Sequence, residues 1–383
     1  MAGDKPTAGL AYFDGEPLVR LLATAFVRLS QLRTAGDPVY PDVVQNAYNH
    51  VVLHCIRRGV RPPGSVPDLV RWAAERPLSR WPFTLPADQD AGELVLVDAE
   101  TGSPTQECLE WAVSAPDPAA ERFENDLMRE VLTLCRAARA PEAYTAFRRL
   151  LIEQPTLTSI ELARLGENLD LDLLHDTVKR SYSPITARYV RDGKAAVCAG
   201  CNCLLVPVGE DRYICLLDRC RRQPVRVSRV LDPAAGGGIH QLTRPLRTFI
   251  TGPGLAEIEL EAELRALGLT PVMWPNFDAY DLEVRFPDGR VWALDVKDRA
   301  NPALLGRATV PLRPDPPYDR GLLVVPHYRF TERDGYREVF LQNLPEGMAD
   351  YVSLLTDREL VREAKATLRR RRTVANTGGD RDA

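Results

Sequence analysis

Apolar positions recur at helical spacing through the first third of the chain. Leu18, Val19, Leu21, Leu22, Ala25, Phe26 and Leu29 form one amphipathic run, and Val43, Val44, Ala47, Val51, Val52, Cys55 and Ile56 a second. Pro-rich breaks at 61–64 and 80–82 separate the pieces. The stretch 93–98 predicts a short strand, while 105–113 is ambiguous. From Ala119 a longer helix carries Phe123, Leu127, Val131, Leu132 and Cys135, and another from Pro141 carries Tyr144, Phe147, Leu150 and Leu151. The pattern predicts a mostly helical region over 1–150, opened by a polar segment, MAGDKPTAGLAYFDGE, that is expected to lack structure.

Residues 151–190 read as a helix-turn-helix or winged-helix segment. Pro155 ends one helix, Thr158 or Ser159 caps the next, and Glu161 stands near the capping-box position. Ile160, Leu162 and Leu165 supply packing. A second helix from Leu171 carries Leu173, Leu174, Val178 and Tyr182, and Ser183-Pro184 ends it. DNA contact is one reading of this module. A helical connector is the other, because Asp170, Asp172 and Asp176 would repel phosphate.

The Gly-rich stretch 232–244 reads as a linker, with no Gly-Lys-Ser/Thr to make it a phosphate loop. Beyond it, Leu260, Leu264 and Leu267 make a helical stripe with Glu257 one turn earlier at its edge, and Gly268 stops the helix. The period then changes to two. Leu282, Val284 and Phe286 alternate with Asp281, Glu283 and Arg285; Pro287-Asp288-Gly289 turns the chain; Trp292, Leu294 and Val296 alternate with Ala293, Asp295 and Lys297. Residues 303–305 form a short helix or loop, 321–326 a buried strand, 338–340 another strand, and 357–372 a closing helix. The result is an α/β unit over 245–372 with a disordered tail at 373–383. The fold class is multidomain, α + α/β.

Composition is that of an ordinary globular protein: 383 residues, 45% hydrophobic and 27% charged. No apolar run is long enough for a bilayer and no secretory leader is visible, so a cytoplasmic protein without membrane attachment is expected. A net charge of −4 argues against bulk electrostatic coating of nucleic acid. Basic residues concentrate at Arg219, Arg221, Arg222, Arg226 and Arg229, a segment without acids that can meet a phosphate backbone, and at 369–372, which reads as a solvated helix end complementing the dipole.

Five of the eight cysteines lie between Cys198 and Cys220. Cys198-x2-Cys201 and Cys215-x4-Cys220 have zinc-ribbon spacing, two knuckles joined by a hairpin, which assigns 191–231 to a lobe held by a structural Zn2+. Cys203 is a fifth thiol that can replace Cys201 or stay free. Cys108 and Cys135 read as small buried apolar residues. His50 and His54 share a helix face, but no third ligand is evident and two packed histidines are the favoured reading.

Asp281, Asp295 and Lys297 can converge on one side of the hairpin if its apolar residues take the other. Two carboxylates with a lysine suit a hard divalent cation, Mg2+ or Mn2+, and phosphodiester hydrolysis. Asp-x-Lys on a strand is common by chance; the helix, hairpin and apolar backing give it weight. The arrangement resembles the PD-(D/E)XK, or restriction-endonuclease-like, superfamily. Asp281 and Asp295 match its metal ligands, Lys297 its lysine and Glu257 its helix acid. Tyr280 stands where that motif has proline, which leaves Asp278 as a rival first ligand.

Taken together, the helical region, the LIEQPTLTSIEL segment, the four-cysteine ribbon and the terminal nuclease-like domain resemble the nuclease component encoded beside prokaryotic PIWI-RE proteins. That resemblance implies an endonuclease in defence against phage or plasmid DNA, acting with a PIWI-RE protein and a DinG-like helicase on DNA, including R-loop or RNA–DNA hybrid forms. The alternative is a non-catalytic nucleic-acid-binding adaptor or regulator with a nuclease-like scaffold. Oligomeric state is not legible.

Overall fold

The computed structural model describes residues 14–31, 40–85, 94–113, 122–235 and 237–378. The polar opening up to residue 13, residues 114–121, where a helix was expected to begin, and the last five residues lie outside this set. The chain divides into two compact units, 1–120 and 121–383.

The first unit is helical, as its spacing predicts: α1 (Glu16–Gln31), α2 (Asp42–Arg57), α3 (Val66–Glu75) and α4 (Gln106–Val113). Leu18, Leu22 and Phe26 of α1, Val44 and Val51 of α2 and Trp111 of α4 are buried. Ser65 caps α3, its side chain accepting from the Asp68 N–H. Of the strand expected at 93–98, residue 93 lies outside the described residues and 94–98 show one bridge, between Val97 and Pro104. The Leu96 and Val97 N–H groups donate instead to the Ala73 carbonyl, so the end of α3 takes the bonds that a partner strand would have received. His50 and His54 are both buried, and His54 packs edge-on against Phe83.

The second unit starts with α5 (Arg122–Ala138) and α6 (Pro141–Glu153), followed by β1 (Thr156–Thr158), α7 (Ser159–Arg164), a 3-10 stretch Leu169–Leu174, α8 (His175–Ser181) and β2 (Tyr182–Pro184). Thr158 and Glu161 form a reciprocal capping box at α7. A small lobe then carries β3 (Val190–Arg191), β4 (Lys194–Cys198), β5 (Val206–Val208), β6 (Arg212–Ile214) and β7 (Val227–Leu231), with β5 and β6 as the hairpin between the two cysteine pairs.

The linker expected at 232–244 contains β8 (Ile239–Leu242), the middle strand of a three-stranded sheet ordered β1-β8-β2. Ile239, Gln241 and Leu242 are buried, and pairing on both edges satisfies a backbone that glycine content alone suggested was loose. The cysteine-bearing lobe is therefore an insertion between two strands of one sheet.

A short helix α9 (Arg244–Leu246) runs through a wider turn into α10 (Gly252–Ala266), and Gly268 follows with φ +83°. Then come β9 (Val272–Met273), the tight turn α11 (Pro275–Asp278), β10 (Leu282–Arg285), β11 (Val291–Val296), α12 (Pro302–Ala308), β12 (Arg320–Val325), α13 (His327–Glu332), α14 (Tyr336–Gln342), β13 (Ser353–Thr356) and α15 (Asp357–Gly378). The sheet order is β13-β12-β11-β10-β9, with β9, β10 and β11 antiparallel and β11, β12 and β13 parallel. Leu294 and Val296 join the main core with Leu260, Leu264 and Leu360, while Leu323 and Val325 join a second cluster with Leu305, Tyr336 and Phe340. Both faces of the sheet are thus covered, as parallel strands require.

Two expectations change here. Residues 338–340 lie in helix α14, not a strand: Tyr336 and Phe340, one turn apart, both point into the second core. Helix α15 continues to Gly378, into the stretch 373–383 expected to lack structure.

Candidate functional site

The hairpin brings the predicted acids and lysine together. Leu282 pairs with Leu294 and Val284 with Trp292, so the apolar residues take one face. Asp281, just before β10, has its carbonyl held by the Trp274 N–H at 2.8 Å. Its Oδ2 accepts from the Val296 N–H at 2.6 Å and from Lys297 Nζ at 3.4 Å. Lys297 Nζ also donates to Asp295 Oδ1 at 2.7 Å. The Lys297 backbone N–H donates to the Val324 carbonyl at 2.8 Å, which ties the end of β11 to the parallel strand β12 and aims the side chain.

Electrostatics separate the two aspartates. Burial pushes Asp295 up to about 6 despite Lys297, and the nearby Asp281 adds to the shift. Burial acts on Asp281 as well, but Lys297, Arg148 and the Val296 N–H together hold it below the ordinary carboxylate range. Lys297 is held above its usual value: burial opposes its charge, and Asp281 and Asp295 outweigh the burial. The pair therefore carries unlike protonation tendencies next to one firmly charged lysine.

Glu257 of α10 is only 3% exposed and faces the same region, but its oxygens are engaged. Arg148 Nη2 of α6 donates to Oε1 at 2.9 Å and Oε2 at 3.1 Å, and Trp274 Nε1 donates to Oε2 at 2.6 Å. Burial raises Glu257 to about 7, against the pull of Arg148. The rival ligand Asp278 is there too: it accepts from Arg148 Nη1 and, at 3.0 Å, from the Tyr144 hydroxyl. Arg148 Nη2 lies 3.6 Å from Asp281 Oδ1, and the guanidinium carbon sits 4.9 Å from the Trp274 ring centroid.

The turn that presents Trp274 and Asp278 is left-handed at four non-glycine residues, Trp274, Asn276, Phe277 and Asp278, with φ between 47° and 71°. Such conformations cost about 1–3 kcal/mol each and need tertiary support. Burial of Trp274 and edge-on packing of Phe277 against Tyr144 supply it. Sequence reasoning missed Arg148, Tyr144 and Trp274. Tyr144 and Arg148 stand one turn apart on α6, but helical spacing does not show that an arginine on that face is buried against acids more than a hundred positions away.

As a donor set, Asp281 and Asp295 offer hard oxygens suited to Mg2+ or Mn2+. They fit such an ion: the two carboxylates lie beside one another, Arg148 Nη2 comes no nearer to Asp281 Oδ1 than 3.6 Å, and Asp295 is the more exposed acid. Glu257 fits only when Arg148 and Trp274 have released an oxygen.

The second candidate centre is the cysteine cluster. The sulfurs of Cys198, Cys201, Cys215 and Cys220 all lie within 4.8 Å of one another, with three of the residues buried. Cys201 and Cys215 sulfurs are 3.5 Å apart, close to the separation of about 3.8 Å that four 2.3 Å bonds to one tetrahedral zinc imply. Gly200 permits the approach, since a Cβ there would stand 3.2 Å from the Cys220 sulfur. Among the described residues this is the one group of three or more ligands of this kind. Cys203 is buried in the same small core and outside that group.

The basic segment is largely spent on structure. Arg219 pairs with Glu259 at 2.6 Å, Arg222 with Asp218 at 2.8 Å and with Glu332, and Arg229 with Glu161 at 2.9 Å. Arg221 and Arg226 are exposed. The first two arginines fasten the lobe to the α/β domain, together with Arg329, which reaches Asp218 at 3.0 Å.

Residues 18–158 match a family model described as pPIWI_RE three-gene island domain Y, and residues 254–372 match one described as REase associating with pPIWI_RE. The resemblance drawn from the sequence is borne out in these two segments. No curated protein and no solved structure matches the chain at a significant level. Among the described residues, no helix is long and apolar enough to cross a membrane.

Proposed function

We propose that this chain, whose segments match models of pPIWI_RE three-gene island domain Y and of a REase associating with pPIWI_RE, is a divalent-metal-dependent endonuclease that hydrolyses phosphodiester bonds in DNA. The observation that carries the reading is the convergence of Asp281 and Asp295 on Lys297 at the end of the central strand. Asp281 and Asp295 would hold Mg2+ or Mn2+, which when bound neutralises phosphate charge and acidifies water. Lys297, held in its charged form, orients the attacked phosphate and balances the negative charge that develops there. Apolar backing by Leu282, Leu294 and Val296 keeps these groups on a rigid strand.

In this reading the protein acts in defence against phage or plasmid DNA, with a PIWI-RE protein and a DinG-like helicase that delivers R-loop or RNA–DNA hybrid substrates. The four cysteines hold a structural Zn2+ that does not take part in hydrolysis, since four thiolates leave no open position.

A second reading, a nucleic-acid-binding adaptor, draws support from topology. The sequence α6, β1, α7, α8, β2, β8, with β8 paired between β1 and β2, has the strand pairing that a winged-helix reading requires, with the cysteine-bearing lobe in the place of the wing. The acids Asp170, Asp172 and Asp176 precede or open α8 and disfavour that helix as a phosphate-binding element.

Cleavage of single-stranded, duplex and R-loop DNA with Mg2+ or Mn2+ tests the proposal. Asp295→Ala and Lys297→Ala should abolish cutting with zinc content unchanged. If cleavage, alone or with the PIWI-RE and helicase proteins, survives both substitutions, the site is misassigned and the adaptor reading gains.

A further inference from the structure

We propose that Arg148 is a built-in competitor for the divalent cation, an inhibitory latch on the nuclease site. This rests on the reading above that Asp281 and Asp295 bind metal. The Arg148 side chain is 12% exposed, and its guanidinium engages Glu257 twice, Asp278 once and Asp281 at 3.6 Å, while it lies against the Trp274 ring. It thus bonds Glu257 and Asp278 and approaches Asp281, three of the four acids around the proposed metal site.

Charge decides the competition. Glu257 and Asp281 are 3% and 4% exposed, and carboxylates so buried need a positive partner nearby. Arg148 and a divalent cation can each supply it. They cannot both use Glu257 fully, because Arg148 touches both of its oxygens and Trp274 takes a second bond at Oε2. Asp278 is likewise bonded to Arg148 and Tyr144. With the guanidinium in place, a cation at Asp281 lacks the helix acid and meets a like charge near Oδ1. With it withdrawn, Glu257 and Asp278 become available together.

The latch also links the two matched segments. Arg148 lies within 18–158, whereas all the acids it holds lie within 254–372. Arg149, the next residue, bonds Glu261 at 2.6 Å, one turn beyond Glu257 on α10, so α6 is fastened to α10 independently of the site. Any event that draws the Arg148 side chain away can therefore open the site without undocking the helix.

Binding of Mn2+ to the full-length, zinc-loaded chain, read from the EPR signal of the free aqua ion, tests this without relying on cleavage. Asp281→Asn identifies the site as the binding that it removes. Arg148→Gln should bind Mn2+ at that site about tenfold tighter than the wild type, as expected if the latch is closed in roughly nine molecules of ten. Arg148→Lys, which keeps a charge but cannot bridge three carboxylates, should fall between them and serves if the glutamine variant does not fold. Equal or weaker binding by the folded Arg148 variants overturns the latch while the metal site stands. Absence of Asp281-dependent binding in every variant overturns the metal site, and the latch with it.

Discussion

Lys297→Met separates the structural from the chemical role of the lysine. Its ammonium lies 2.7 Å from Asp295 Oδ1 and 3.4 Å from Asp281 Oδ2. At an effective dielectric near 20 these contacts represent about 5–6 kcal/mol of gross attraction each. Removing one partner of a buried pair costs about 3–5 kcal/mol net. The Lys297 side chain is 36% exposed, so solvent screening brings the expected loss to about 2–3 kcal/mol. For a unit of this size that corresponds to a fall in Tm of about 5–10 °C.

Scanning fluorimetry of zinc-loaded protein without added Mg2+ measures the loss. Because Asp295 titrates near 6 in the folded site, against about 4 in an unfolded chain, the folded state binds its proton more tightly. Stability therefore falls as pH rises between those values, and loss of the lysine extends the window upward. The deficit of Lys297→Met should be larger at pH 8 than at pH 5. Adding Asp295→Asn removes the uncompensated negative charge and should restore more than half of the lost Tm at pH 8, while cleavage stays abolished. If the double variant unfolds at the same temperature as Lys297→Met, the cost is not electrostatic and the account of the site is wrong.

Two further predictions concern the scaffold. Zinc removal or Cys215→Ser should expose the amides of β4 and β7 to hydrogen exchange and leave β10 to β12 protected, because the small core around the site buries Ala196, Leu205 and Leu217 beside four cysteines, with Tyr213, Val225 and Leu255 partly buried against them; unchanged exchange in metal-free protein would contradict a structural metal. Gly254→Ala should destabilise the second unit by about 1–3 kcal/mol in urea unfolding, since a Cβ there would stand 2.4 Å from Ile152 Cδ1, where α10 crosses α6; a stability equal to wild type would show that Ile152 can move aside.

The sequence by itself determined whatever depends on local period and spacing. Alternation over 281–297 specified a hairpin and put Asp295 and Lys297 on one side, because strand side chains alternate with period two. The two cysteine pairs specified a four-cysteine cluster for the same kind of reason: ligand spacing is a local property. Glycine content misled at 232–244, where β8 became a central strand because two separated segments, β1 and β2, wait for it on either side. Residues 338–340 misled too, since a three-residue apolar-containing run fits a strand as well as the helix that the second core selected.

Only the tertiary structure decided what balances the acids. Glu257 was legible as a helix acid, but its engagement by Arg148 and Trp274 was not, nor was the pairing of Arg219, Arg222 and Arg229 with carboxylates far along the chain. An arginine's partner depends on which helices pack together, and packing reflects the sum of many apolar contacts that no local pattern records. Charge pairing across the fold depends on α6 lying against α10 and on the left-handed turn that brings Trp274 and Asp278 to the site.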